Sequence, residues 1–255
     1  MADGERADRV FDAMRDGLVS LRFAPVECAG EPANELYREC LASVPAVGAD
    51  DLRRPEFTGA LRKVGISGAF DRYVLHRAWG LLSEHPGACL GVNVITPVWD
   101  VVWEAMSSEW RAHSDVAARL IIEISESTRF PFEEGRQFVR RLKQCGCRIA
   151  IDDFGWAYGV DAAMAIPEPD IVKIHPALLN AAMTDAAGRA RFGRMVALAN
   201  SLAVDTVVMG VSNDCAAQRA CEAGAGWLQR VGAGRAELAR TGQQPSSEHD
   251  VKGAR

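Results

Sequence analysis

Short apolar runs, rich in β-branched residues and most of them closed by a polar residue, alternate along this chain with longer stretches of helical pattern. The runs fall at 18–26, 89–92, 120–122, 149–151, 171–172, 206–208 and 227–228, and the helical stretches include 69–82, 97–110, 132–144, 187–202 and 214–223. An unbroken apolar run marks a strand covered on both faces, as in a parallel sheet. Repeated βα units over 255 residues predict a (β/α)8-type barrel or an open doubly wound sheet.

The residues that close the runs are Asn93, Glu123, the pair Asp152 and Asp153, Lys173, Met209 and Gln229. In a parallel barrel every strand C-terminus opens onto one face, which carries the site. A polar residue at one strand end needs only solvent to explain it. Carboxylates at successive ends, joined by an Asn and a Lys, ask for a cation or a phosphate. Adjacent aspartates could cap a helix instead, but like charges so close repel unless a cation or donors offset them. Taken singly, Asn93 reads as a turn residue, Lys173 as a solvated lysine and Glu126 as an acid at a helix start.

The bulk numbers narrow the partners. A net charge of −5 argues against polymeric DNA or RNA, yet leaves room for one small anion in a local cationic pocket. No stretch is apolar enough to span a membrane, and residues 1–15 lack the apolar core of a signal peptide. The expected location is the cytoplasm. Seven scattered cysteines suggest free thiols rather than a disulfide framework or a zinc site at Cys145-Gly146-Cys147. The expected division is a leader at 1–15, a barrel domain at 16–240 and a disordered polar tail at 241–255.

Seven segments in order carry a resemblance to a known family. Leu120-Ile-Ile-Glu-Ile-Ser-Glu-Ser127 is similar to "LEITES", Ile149-Ala-Ile-Asp-Asp-Phe-Gly155 to "ALDDFG" and Pro169-Asp-Ile-Val-Lys-Ile174 to "PDxxKI". Gly91-Val-Asn93, Phe23-Ala-Pro-Val26, Asp71-Arg-Tyr-Val-Leu75 and Trp227-Leu-Gln229 resemble "xVNxS", "YQPI", "LDxWVL" and "xxQG". Together they resemble the EAL domain, which hydrolyses cyclic di-GMP, from about residue 18 to about residue 235. The resemblance implies a modified TIM barrel with one antiparallel strand near the start, and two-metal phosphodiesterase chemistry. By that resemblance Asn93, Glu123 and Asp152 match ligands of a first metal and Asp153 a ligand of a second. Lys173 matches the lysine that steadies the attacking water, and Glu126 the glutamate that braces the loop after Asp153.

Several positions depart from the family. Read against Glu-Ala-Leu followed by Leu-Arg, the segment Asn34-Glu-Leu-Tyr-Arg38 puts Asn34, at best a weak ligand, in the glutamate's place and Arg38 in the arginine's. Glu35, one residue off, would face the other way on a strand. Met209 and Ser212 replace the two glutamates of "AEGVE", Trp156 a threonine, Ala24 a glutamine, His175 an aspartate and Arg230 a glycine. These losses imply a non-hydrolysing regulatory or protein-interaction module, with Lys173 vestigial and no tightly bound cofactor beyond weak Mg2+, Mn2+ or Ca2+. Its partner would be an unidentified protein or a second copy. Cyclic di-GMP would bind weakly through Arg38, Gln229 and Trp156, with metal required to offset the carboxylates. Two other readings stay open: a weak phosphodiesterase yielding linear pGpG, and a barrel recruited to another phosphoester.

Overall fold

In a computed structural model describing residues 2–45, 51–128, 132–156, 165–234 and 238, the apolar runs are strands. They are β1 (Ser20–Cys28), β2 (Glu35–Val44), β3 (Leu52–Arg53), β4 (Leu90–Val94), β5 (Leu120–Ser125), β6 (Arg148–Phe154), β7 (Ile171–Ile174), β8 (Asp205–Val211) and β9 (Trp227–Arg230). Strands β2 and β4 to β9 pair in parallel, and β1 lies antiparallel between β9 and β2, closing an eight-stranded barrel. This is an α/β modified TIM barrel with one reversed strand at its start. The two-residue β3 hangs on the end of β2, with Ser43 opposite Arg53.

Helices cover the barrel. They are α1 (Asp3–Arg15), α2 (Arg54–Val64), α3 (Ser67–Glu84), α4 (Val101–Ala112), α5 (Ser114–Ala117), α6 (Phe132–Gln144), α7 (Pro176–Thr184), α8 (Ala186–Leu202) and α9 (Asp214–Glu222). Each long one buries an apolar stripe at three- and four-residue spacing. In α3 that stripe is Phe70, Val74, Leu75, Ala78 and Leu82, and in α6 it is Phe138, Val139 and Leu142. Glu133 and Glu134 in the first turn of α6, with Arg141 and Lys143 in its last, also suit the helix dipole. The expected leader is helical in α1, which buries Ala7, Val10 and Ala13 in the main core. The expected tail at 241–255 lies outside the described residues.

Two apolar cores result. The larger fills the space between strands and helices. The smaller lies inside the barrel and consists of Val26, Tyr37, Ile121, Ala150, Ile171 and Val207. Side chains alternate faces along a strand, so one step of two residues from each member of this layer reaches the next interior layer. Asp71 of α3 sets the height of β4 within that layer, its carboxylate accepting the N–H groups of Ile95 at 3.0 and 2.9 Å and of Thr96 at 2.8 Å. Burial pushes its carboxyl up to about 6, against the pull of those two donors.

All seven cysteines are free thiols, with Cys145 and Cys147 buried. Among the described residues no helix is long and apolar enough to cross a membrane.

Gly91 occupies an interior position of β4, where a Cβ would lie 2.3 Å from Glu123 Oε1 and 2.5 Å from the Tyr37 ring. Gly91→Ala should therefore lower stability by about 1–3 kcal/mol through overpacking. Gly59 in α2 has nothing within 4 Å of its Cβ position, and Gly59→Ala should raise stability by about 0.5–1 kcal/mol. Urea denaturation of both variants checks the contrast. Equal midpoints would mean that the interior position has room to spare.

Candidate functional site

The second interior layer is polar. Two residues beyond Tyr37, Ile121, Ala150, Ile171 and Val207 stand Glu39, Glu123, Asp152, Lys173 and Met209. Asn93 of β4 pairs with Glu123 across the sheet, and Gln229 of β9 pairs with Met209. Asn93, Glu123, Asp152 and Lys173 thus converge at one mouth, joined by Gln229 and by a residue absent from the sequence reading, Glu39.

Lys173 is fully buried at the centre. Its Nζ lies 2.6 Å from Glu123 Oε2, 2.9 Å from Glu39 Oε2 and 3.2 Å from Asp152 Oδ1. Burial opposes its charge, but Asp152, Glu123 and Glu39 outweigh that and raise its affinity for the proton. Glu39 also accepts from Asn93 Nδ2 at 2.5 Å and from Gln229 Nε2 at 2.7 Å. Burial alone would raise Glu39, but Lys173 and these two amides hold it below the usual carboxylate range. Glu123 has fewer hydrogen-bond donors: besides Lys173, Asn93 Nδ2 reaches it at 3.2 Å among the described residues. Burial, then Glu39, pushes its carboxyl up to about 8.

Glu123 Oε1 is buried without a hydrogen-bond partner, and Asp152 Oδ1 is held by its ion pair with Lys173 alone. Oxygens of Glu39, Glu123 and Asp152 all lie within 4.8 Å of one another. Carboxylate oxygens grouped in one pocket, one of them orphaned, with the Asn93 amide beside them, fit a hard divalent cation. Lys173 Nζ stands among the same oxygens, so an entering ion would compete with the ammonium.

Beyond Asp152 the chain turns sharply. Asp153 has φ +59°, and Gly155 has φ +86° with Leu178 only 2.8 Å from the place of a Cβ. Glu126 Oε2 accepts the Gly155 N–H at 2.9 Å and ties this turn to β5. Burial and Asp152 push the Asp153 carboxyl up to about 6. Trp156 is exposed and stacks on His175 with ring centroids 4.6 Å apart, His175 Nε2 lying 3.9 Å from Asp153 Oδ1.

Two sequence-based placements are corrected. Asn34 does not enter the site: it is exposed before β2 and donates to Glu31 Oε2 at 2.6 Å. Arg38 lies between the interior residues Tyr37 and Glu39, so it faces outward. It pairs with Glu35 at 2.7 Å and lines a cleft of about 210 Å3 with Glu84 and His85, at the end of the barrel where β4 begins. The motif sits five residues further on, as Glu39-Cys40-Leu41-Ala42-Ser43. Its glutamate is present, therefore, and Ser43 stands where the arginine would be. Anchoring on Leu36 and Arg38 hid this, although Glu39-Cys40-Leu41 is itself Glu-x-Leu. Met209 does face the interior layer and Ser212 is exposed beyond the bulge at Gly210.

Comparison with known proteins agrees with this layout. The family profile described as EAL domain matches residues 7–229. The cyclic di-GMP phosphodiesterase PdeF of Escherichia coli is 25% identical over 147 residues, covering 55% of this chain and 20% of that protein. Among solved structures, Vibrio cholerae LapD S helix-GGDEF-EAL bound to c-di-GMP superposes with TM-score 0.79 at 17% identity, over 90% of this chain and 57% of the other. The Pseudomonas aeruginosa FimX EAL domain bound to c-di-GMP gives 0.76 at 18% identity, over 93% and 99%. The chain spans about a quarter of the length of the curated relatives it matches, 27% of the first and 20% of PdeF.

Lys173→Met removes the one cation inside this carboxylate cluster. We expect a loss of about 3–5 kcal/mol at neutral pH. Without the ammonium the folded-state carboxyl pKa values rise above their unfolded values. Stability is then highest at low pH and is lost as pH rises through the folded values. The deficit against wild type should thus be larger at pH 8 than at pH 5, measured by urea denaturation in chelator. A deficit independent of pH would mean the lysine serves packing alone.

Proposed function

The chain belongs to the EAL domain family, and from that membership we propose that it is a module that holds cyclic di-GMP with a divalent cation and barely hydrolyses it. Met209 carries this reading. It fills an interior position of the polar layer, opposite Gln229, where the family motif has a glutamate. A thioether neither binds a hard cation usefully nor accepts a proton from water. Capacity for a second ion falls, while Glu39, Asn93, Glu123 and Asp152 would still hold the first.

A bound divalent cation would polarise a phosphate and lower the pKa of water. The chain's own residues do the rest. Lys173 keeps its proton and offers N–H groups at the centre of the mouth. Glu126 fixes the turn bearing Asp153. Trp156, already stacked on His175, presents an aromatic face to a guanine, worth ~1–3 kcal/mol. A groove of about 840 Å3 beside the mouth, lined by Arg72, Thr96 and Ser127 among others, leaves room for the rest of a dinucleotide. Solved relatives bound to c-di-GMP support the choice of ligand. A domain that retains its ligand without consuming it acts by contact, so a protein partner would read its occupancy.

One observation favours a second reading, slow hydrolysis to linear pGpG. With Glu39 in place, the remaining gap among the family's metal-site carboxylates is Met209, and the Asp153 carboxyl, pushed up to about 6, can exchange a proton near neutrality.

Calorimetry should find one Mn2+ site per chain. Glu39→Gln should weaken it about tenfold or more, and Asn34→Ala should leave it unchanged. Cyclic di-GMP turnover should be undetectable or very slow, and Met209→Glu should raise it by about 10²-fold. Rapid turnover by the unmodified chain, untouched by Met209→Glu, would overturn the proposal.

A further inference from the structure

Four carboxylates crowd the barrel mouth: Glu39, Glu123, Asp152 and Asp153. The single ammonium among them is already bound to three of these. A phosphodiester entering from solvent needs positive charge at the rim. The family motif places an arginine there, and here that position is Ser43, a small buried residue. No other residue of β2 replaces it, since Arg38 faces the far end.

The strand beside Ser43 carries the charge instead. The pairing of β3 with β2 puts Arg53 opposite Ser43, and Arg54 follows as the first residue of α2, with Pro55 behind it. Arg54 is half-buried, and its charge feels Asp71, Asp152, Glu39 and Glu123. Asp71, the strongest of these influences, is committed to the N–H groups of Ile95 and Thr96. Among the described residues no carboxylate lies within 4.0 Å of the Arg54 guanidinium. Burial consequently holds its affinity for the proton below that of an ordinary arginine. A partly desolvated guanidinium without an ion pair is costly unless an anion completes it. Its planar fork suits the two free oxygens of a phosphodiester.

We propose that Arg54 is the phosphate-contacting residue of this mouth, supplying from α2 the charge that Ser43 no longer supplies from β2. The inference rests on the reading of the mouth as a phosphodiester site. The ligand chemistry is a phosphodiester anion whose oxygens meet the guanidinium on the α2 side and the carboxylate-held cation on the other.

Titration calorimetry on the whole chain with cyclic di-GMP in Mg2+ tests it, with circular dichroism to confirm folding. Arg54→Ala should weaken binding about tenfold or more, the loss of one charge-assisted contact. Arg54→Lys should fall between, and Arg53→Ala should stay within about twofold. Adding Ser43→Arg to Arg54→Ala should restore most of the affinity, which a merely structural arginine would not allow. Should Arg54→Ala fail to fold, Arg54→Lys and Arg54→Gln decide by the same order. Binding unchanged in the Arg54 variants overturns the inference while leaving the ligand reading intact. If the unmodified chain ignores cyclic di-GMP, the ligand reading falls and titration with inorganic pyrophosphate decides for Arg54. Pyrophosphate binding lost in Arg54→Ala supports the anion contact, and binding that is unchanged or absent in both overturns it.

Discussion

One buried ammonium organises the site. Lys173 Nζ meets Glu39, Glu123 and Asp152 within 3.2 Å at zero exposure. Those acids come from β2, β5 and β6, so the lysine joins four strands by charge where they would otherwise repel one another. Buried ion pairs gain little net stability once desolvation is counted. What they hold here is arrangement: three carboxylates face one point, and the orphaned Oε1 of Glu123 remains available to a further cation. The asymmetry between Glu39 and Glu123 follows from donor count. Glu39, with three donors, keeps its charge, and Glu123, with two of them on one oxygen, gives it up more readily.

The barrel's parity makes this possible. Four strands place an apolar or aromatic residue inside the barrel and, two residues later, a polar one, and a fifth ends instead on Met209. The apolar layer supports the polar layer from below, and the helices hold the strands at matched heights, as Asp71 does for β4. Gly91 belongs to the same geometry. Glu123 and Tyr37 lean into the space that a side chain there would fill.

Much of this was legible from residue order. Runs such as 149–151 and 171–172 are apolar on both faces, so β6 and β7 stand out, and their closers Asp152 and Lys173 follow at once. The strand that could not be read was β2. Its interior face alternates Tyr37 with Glu39 while its outer face carries Cys40, Ala42 and Val44, so no apolar run announces it. A charged residue inside a barrel obeys the strand period but breaks the apolar pattern by which strands are recognised. Motif matching then slid five residues toward the hairpin, to Asn34 and Arg38. Helix α7 opens on Pro176, a residue that suits a first helical turn. Arg54 carries no motif at all, and its nearness to Ser43 follows only from the pairing of Ser43 with Arg53, its neighbour in the chain.

The layer of Val26, Tyr37, Ile121, Ala150, Ile171 and Val207 has a consequence for traffic. It makes the barrel a vessel closed at one end. Among the described residues this apolar layer separates Glu123 from the far end of the barrel, so solvent meets it from the mouth that carries Asp153 and the Trp156 stack. The buried Tyr37 phenol forms part of the floor beneath Glu123, and burial together with the charge of Glu123 keeps its proton in place. Whatever occupies the mouth therefore decides how fast the acids below it exchange with solvent. A ligand lodged there would act as a stopper on the charge state of the interior as well as a cargo.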